Sequence, residues 1–188
     1  GLRGHIGELE LRELNEHTQP SEVESLLSLF SDPDGSPSDV GLISEAGLPA
    51  VADPGARLVA LCHIHGIQVV PMVGPSSLML ALMGSGLNGQ CFAFCGYLPA
   101  KTDERRKAIR EIERRSSQLN QTEMFIETPY RNDSMMADLL AALQPKTRLC
   151  IAADITLPDE TIMTRTVREW QKSPVVIGKR PCVFLILA

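Results

Sequence analysis

The twelve residues from Ser44 to Gly55, Ser-Glu-Ala-Gly-Leu-Pro-Ala-Val-Ala-Asp-Pro-Gly, constrain the fold more than any other stretch of the chain. Two prolines and two glycines exclude a helix through the segment, and Leu48 is pushed toward extended backbone by Pro49. The apolar run Val40 to Ser44 precedes it. Leu58, Val59, Leu61 and Cys62 follow it at helical spacing. That order predicts a short buried strand, a tight loop of small residues and a helix. Asp53 is the expected N-cap, Pro54 the expected first helical residue and Gly66 the stop. The order then repeats. Ile67 to Met72 predicts a second buried strand, Gly74-Pro75-Ser76-Ser77 a second loop, and another apolar helix begins. Two such units in succession need crossover helices and imply a parallel sheet.

Upstream, Thr18 to Phe30 predicts a helix capped by Thr18, with Pro20 in its first turn and Val23, Leu26, Leu27 and Phe30 on one face. Gly84 to Gln90 is rich in glycine and polar residues and is expected to link two α/β domains, 1–88 and 89–188. In the second, Cys91 to Leu98, Met124 to Glu127, Leu149 to Ile155 and Thr161 to Val167 read as strands. Thr102 to Leu119 and Asn132 to Leu143 read as helices, and Arg168 to Lys172 as a short helical turn. Cys182 to Leu187 is apolar throughout and belongs inside the second sheet.

The net charge of −5 does not resemble that of a dedicated nucleic-acid-binding module, although it leaves room for a local basic patch. The odd number of cysteines, five, suggests free buried thiols and a reducing cytoplasm. Cys91 and Cys95 are not spaced like a zinc pair, and no metal site is expected. No apolar run is long enough for a membrane span. The start Gly1-Leu2-Arg3-Gly4-His5 lacks the apolar core of a signal peptide.

Both small-residue loops follow strands, where open parallel sheets bind ligands. In the first, small residues permit close backbone approach. In the second, Ser76 and Ser77 are equally suited to capping the next helix. Two later segments also follow strands: Ile126-Glu127-Thr128-Pro129-Tyr130-Arg131-Asn132 and Asp154-Ile155-Thr156-Leu157-Pro158-Asp159-Glu160. None is a nucleophile elbow, a phosphate loop or a dinucleotide turn.

Taken in order, with Val73-Gly74-Pro75-Ser76-Ser77 some twenty residues after the first loop and Gly96-Tyr97-Leu98-Pro99 between the second and third, these motifs resemble the tetrapyrrole-methylase superfamily, in its ribosomal small-subunit RNA methyltransferase branch. The resemblance runs from about Asn15 to about Arg165. It implies a two-domain α/β fold with a parallel sheet in the first domain and a mixed sheet in the second, S-adenosyl-L-methionine as cofactor, and a homodimer. By motif, Ser44, Ala46 and Gly47 would line the cofactor from the first loop and Ser76 and Ser77 from the second. Glu127 and Thr128 would do so from the third segment, and Ile155 and Thr156 from the fourth. Asp53 would hold the first loop. The family's opening strand, loop, helix and second strand do not precede Gly1. Pro158 stands where the RNA enzymes carry a basic residue, and their extra C-terminal segment does not follow Ala188.

Methyl transfer from a sulfonium demands alignment and exclusion of water, and a hydroxyl acceptor gains from a general base. Glu45, Asp53, Glu127 and Asp154 are the acidic candidates, and no catalytic residue is singled out among them. RNA is one expected acceptor, with the arginines of Lys101 to Arg115 and Arg131 near its phosphates. The interleaved Asp103, Glu104, Glu111 and Glu113 read instead as a solvated ion-pair face. A tetrapyrrole or other small molecule is a second acceptor, with Leu78 to Met83 as an apolar lining. A non-catalytic protein that keeps the fold is a third reading.

Overall fold

The structure, a computed structural model, describes residues 9–188. The Gly1 to His5 start lies outside the described residues. The chain divides into two compact units, one ending at Pro75 and one spanning Ser76–Ala188.

In the first unit, helix α1 (Pro20–Ser25) continues into a 3₁₀ turn, Leu26–Phe30, and is followed by α2 (Ala56–Ile64). The predicted thirteen-residue helix is therefore two shorter pieces, and Thr18 is not its cap. Thr18 Oγ1 accepts the Asn15 N–H at 2.9 Å, while Glu22 Oε2 reaches back to the Gln19 N–H at 2.7 Å. Val23, Leu58 and Cys62 form a small buried cluster with Leu14, Leu26, Phe30, Leu61, Ile67 and Val69 against it. Helix α2 begins after Gly55 with no side-chain cap, so Asp53 is not its N-cap.

The two strands predicted here, 40–44 and 67–72, are not formed, and with them goes the parallel sheet expected of the first domain. Both segments are chain without ladder partners, and only an isolated Ser31–Pro37 bridge occurs among this unit's described residues. An apolar run favours extended backbone, but a strand exists only through hydrogen bonds to a neighbour. Ile43 and Met72 stay more than 80% exposed, and Val40, Leu42, Ile67 and Val69 are only half-buried, so neither segment is a buried strand.

The second unit holds one five-stranded mixed sheet, in line with the α/β expectation. Its strands are β1 (Phe92–Tyr97), β2 (Thr122–Ile126), β3 (Arg148–Ala153), β4 (Thr161–Thr166) and β5 (Cys182–Leu187), in the order β1-β2-β5-β3-β4. The β1–β2 pair is parallel and the other three are antiparallel. Strand β5 is central and buried at every position, as its unbroken apolar run required. Cys182, Phe184 and Ile186 face a layer that includes α4 (Thr102–Leu119), α5 (Asn132–Ala142) and α6 (Val167–Lys172). Val183 and Leu185 face α3 (Ser77–Ser85), through Leu78, Ala81 and Leu82. Phe125 and Phe184, paired in register across β2 and β5, stack with centroids 5.6 Å apart.

Helix α3 packs on β3, β4 and β5 and so belongs with the second unit. The units divide at Pro75/Ser76, whereas the sequence reading placed the boundary at 88/89. The glycine signal has a packing cause: a Cβ at Gly84 would lie 2.8 Å from Ile162 Cδ1. Glycine there admits close helix–strand contact rather than a flexible joint. Among the described residues no helix is long and apolar enough to cross a membrane.

All five cysteines are free; three are buried, but Cys91 and Cys95 are only half-buried. Burial pushes the Cys182 thiol up to about 12. Burial and the Glu123 carboxylate push Cys95 up to about 12 as well. Helix α4 is not a wholly solvated ion-pair face. Arg105 is 2% exposed and pairs with the buried Asp138 of α5, which also accepts from Arg106 Nε at 2.7 Å. Arg115 donates to the buried Glu123 of β2 through Nε at 2.7 Å. Burial alone would raise the Glu123 pKa, but hydrogen bonds from Arg115, Cys95 and Gln121 hold it below the ordinary value. Removing one partner of a buried pair strands the other charge. Asp138→Ala is therefore expected to lower the unfolding free energy in urea by about 3–5 kcal/mol. Glu111→Ala, which breaks the exposed pair with Arg114, should leave the midpoint almost unmoved.

Candidate functional site

The first-loop residues stand together in one turn. Ser44 Oγ donates to the Ala46 carbonyl at 2.8 Å and accepts the Ala46 N–H at 3.3 Å, closing the backbone on itself just before Gly47. The loop then takes left-handed backbone at Ala50 (φ 64°) and Ala52 (φ 57°), and Ala50 N–H reaches the Pro54 carbonyl at 3.2 Å. Gly55 is buried at φ 131°, and a Cβ on it would lie 2.7 Å from Leu42 Cδ2. Asp53 makes no side-chain hydrogen bond to another described residue, so backbone geometry holds this loop. The second loop touches the first within the same unit: a Cβ on Gly74 would lie 3.0 Å from Leu48 Cδ2.

In the second unit Ser76 is the N-cap of α3, its Oγ accepting from Met79 N–H at 3.4 Å, and Ser77 is the first helical residue. The capping role read from the sequence is thus present. Leu78 beside Ser77, Ile126 beside Glu127, and Ile155 all belong to the apolar layer on that face of the sheet. The structure therefore places three of the four candidate segments around one layer. It describes Ser44, Ala46 and Gly47 separately, in the other unit.

Glu127 follows the last residue of β2, and its carboxylate is fully buried. Oε1 accepts from Thr128 N–H at 2.7 Å, Thr128 Oγ1 at 3.2 Å, and Arg131 Nη2 and Nε at 2.6 and 3.0 Å. Oε2, by contrast, is buried with no donor among the described residues. A buried carboxylate oxygen without a partner is costly, which makes this strand end a candidate site for a hydrogen-bond donor. Asn132 Oδ1 is buried and undonated in the same way. Its amide Nδ2 donates to the Gly178 and Arg180 carbonyls at 3.0 and 2.7 Å.

Ile155 and Thr156 lie in a strained loop. Asp154 (φ 51°) and Thr156 (φ 72°) both take left-handed backbone, which a β-branched residue rarely adopts. Arg180 holds the loop by pairing with Asp154 and donating to the Asp159 carbonyl at 2.6 Å. Thr156 N–H donates to Glu160 Oε2 at 2.7 Å. Strain of this kind persists where surrounding contacts over-determine it, and it gathers at ligand sites. Of the four acidic candidates, Glu127 and Asp154 are each tied to an arginine and Glu45 is exposed.

Sequence reasoning did not single out Arg131 as the partner of Glu127, although the spacing of four was a usable signal. It also did not reach Arg180, because twenty-six residues separate it from Asp154. Among the described residues no three His, Cys, Asp or Glu side chains converge to hold a metal ion.

Two backbone substitutions test these loops. Gly55→Ala should destabilise the protein by more than about 1 kcal/mol, and adding Leu42→Ala should restore only part, since the collision is relieved but the positive φ is not. Thr156→Gly should do the reverse and raise stability by up to about 1 kcal/mol. Denaturant unfolding reads both.

Comparison with known proteins agrees with this architecture. The crystal structure of the methyltransferase CobJ has a TM-score of 0.51 over 90% of this chain and 87% of its own, at 13% identity. A conserved hypothetical protein from Aeropyrum pernix K1 has a TM-score of 0.53 over 76% of this chain and 56% of its own, at 16% identity. At these identities the likeness is one of fold. In sequence, the Ribosomal RNA small subunit methyltransferase I of Neisseria meningitidis serogroup B is 37% identical over 171 residues, which is 91% of this chain and 54% of the relative. The chain spans about half the length of the curated relatives it matches. Residues 13–171 match the Tetrapyrrole (Corrin/Porphyrin) Methylases, and the chain belongs to that family.

Proposed function

We propose that this chain carries part of an S-adenosyl-L-methionine-dependent methyltransferase acting on small-subunit ribosomal RNA, and that it works as a homodimer. Family membership supports the chemistry, and relatives at 32–37% identity named Ribosomal RNA small subunit methyltransferase I support the acceptor. The observation that carries the reading is the buried, undonated Oε2 of Glu127 at the end of β2. S-adenosyl-L-methionine presents ammonium, hydroxyl and exocyclic amino donors, and any of these matches a carboxylate oxygen aimed into a protein wall. Arg131 saturates the other oxygen and so fixes the orientation of the carboxylate.

On this reading Glu127 and Thr128 hold the polar end of the cofactor, Ile155 supplies an apolar contact and Thr156 a backbone one. Ser76 and Ser77 contribute from the start of α3. Bound there, the cofactor supplies an electrophilic methyl group. The protein's own work is to align that group with its acceptor and to keep water away. The ion pairs on Glu127 and Asp154 fix the orientation of both carboxylates.

Calorimetric titration with S-adenosyl-L-methionine should show binding, weakened about tenfold or more by Glu127→Gln, because a charge-assisted bond is lost. Absence of binding by the unaltered chain would overturn the methyltransferase reading. Labelled methyl groups should enter RNA of small subunits from a strain lacking the gene. Binding without such labelling would discard the RNA acceptor and leave the small-molecule one.

A further inference from the structure

We propose that Lys146, Arg148 and Arg168 form a second contact surface, one that grips the phosphate backbone of the RNA substrate away from the cofactor residues. The inference rests on the RNA reading of the acceptor, and it identifies where that RNA would be held. Lys146 and Arg148 are close in sequence, and the fold brings Arg168 to them. Arg148, the first residue of β3, is in register with Thr166 at the end of β4. The next turn is locked: Val167 N–H donates to the Thr147 carbonyl at 2.9 Å and Arg168 N–H to the Pro145 carbonyl at 3.0 Å. The backbones of Lys146, Arg148 and Arg168 therefore meet on one ridge at this end of the sheet, and all three residues are exposed. Lys172 extends the ridge one turn along α6.

Exposed cations are common, and most need no special explanation. These differ in being left over. Among the described residues eight arginines pair with carboxylates: Arg12, Arg57, Arg105, Arg106, Arg114, Arg115, Arg131 and Arg180. Arg165 lies over the Trp170 ring at 4.8 Å. That leaves Arg110, Arg148 and Arg168, of which two stand side by side on this ridge next to Lys146. The nearby acids are already engaged. Glu113 is buried and accepts from Gln144 N–H at 2.7 Å and from Thr147 Oγ1. Glu169 accepts from Thr166 N–H and Oγ1 at 2.8 and 2.6 Å, with Arg165 and Lys172 beside it.

A chain of net charge −5 that keeps three cations free of ion pairs at one end of its sheet presents a surface suited to a polyanion. The ridge lies at the start of β3, whereas Ile155 and Thr156 follow that strand's other end. Six residues at about 3.3 Å each put roughly 20 Å between the two places. An RNA held at the ridge can thus be anchored without occupying the cofactor residues.

The test is fluorescence anisotropy with a labelled fragment of small-subunit RNA, titrated across salt concentrations. The triple variant Lys146→Gln, Arg148→Gln, Arg168→Gln should bind RNA about tenfold or more weakly at 0.1 M salt. The slope of log K against log salt should shrink by about 2, since each single-strand phosphate contact contributes about 0.7. Calorimetric affinity for S-adenosyl-L-methionine should stay unchanged, which shows that the variant is folded and separates this surface from the cofactor site. The control Arg114→Gln, on the exposed face of α4, should leave RNA affinity unmoved. Unaltered affinity and slope in the triple variant would overturn the proposal, as would failure of the unaltered chain to bind RNA. Loss of polyglutamate binding with RNA binding intact would assign the ridge to an acidic protein instead, and would overturn it too. If the chain binds RNA through the ridge but transfers no methyl group to it, this proposal stands and the RNA-methylation reading falls.

Discussion

Strand β5 carries six consecutive apolar residues, and a strand of that kind can leave water only if something covers both of its faces. One face meets the layer of α4, α5 and α6, and the other meets α3. Burial of this kind is worth roughly 1.5–3 kcal/mol for each large side chain, so β5 with its facing residues is a dominant apolar commitment in this unit. Other placements follow. Phe125 must lie opposite Phe184, which sets the register of β2, and that register brings the strand to its end at Ile126. Glu127 sits at the sheet's rim because the core has run out of strand. Helix α3 must lie against Val183 and Leu185, and its first residues, Ser76 and Ser77, are carried to the margin of the same layer.

Of the four buried carboxylates in this unit, Glu113, Glu123, Glu127 and Asp138, the three that pair with arginines show how identical chemistry serves different ends. Asp138 takes Arg105 and Arg106, one on each oxygen. Glu123 takes Arg115, Gln121 and Cys95 and likewise has both oxygens engaged. These two are complete, and their effect is to fasten α4 to α5 and to β2. Glu127 alone among the three has one oxygen crowded with donors and the other bare. Buried ion pairs contribute little net stability even when complete, because desolvation offsets the Coulomb attraction. A half-satisfied one is worse on stability grounds. Its presence at a strand end is the observation on which the proposed cofactor role of Glu127 rests.

The sequence displayed the second unit well and the first poorly, for a physical reason. Helix α4 has the predicted limits, Thr102 to Leu119, because its apolar residues Ile109 and Ile112 recur on one face among charges. The unbroken Cys182 to Leu187 run could only be a strand buried on both sides. By contrast, Val40 to Ser44 and Ile67 to Met72 have the composition of strands and no ladder. Composition reports what a backbone prefers, while pairing depends on a neighbour that no local window contains. Gly84 misled in another way. A glycine in a polar stretch reads as freedom, but here it is contact, with Ile162 where a side chain would be. The motif residues were visible as a set. The arginines that orient them were not, since Arg180 reaches Asp154 only after β4 and α6 have brought the chain back.

Charge gives a last instance of the gap between composition and surface. A net charge of −5 suggests repulsion of any polyanion, and at long range the suggestion holds. At physiological ionic strength, however, fields decay over about 8 Å. A phosphate arriving at the start of β3 responds to the charges within that radius; Glu113 and Glu169 keep their charge while accepting from Thr147, Gln144 and Thr166, but neither forms an ion pair with the cations there. What it meets is the ridge of Lys146, Arg148 and Arg168. The same screening weakens the acidic residues farther away. An acidic chain can therefore hold an anionic partner, provided its cations are gathered where no carboxylate neutralises them. The arrangement also favours specificity in placement: the rest of the surface repels weakly, and the partner is directed to one edge of the sheet.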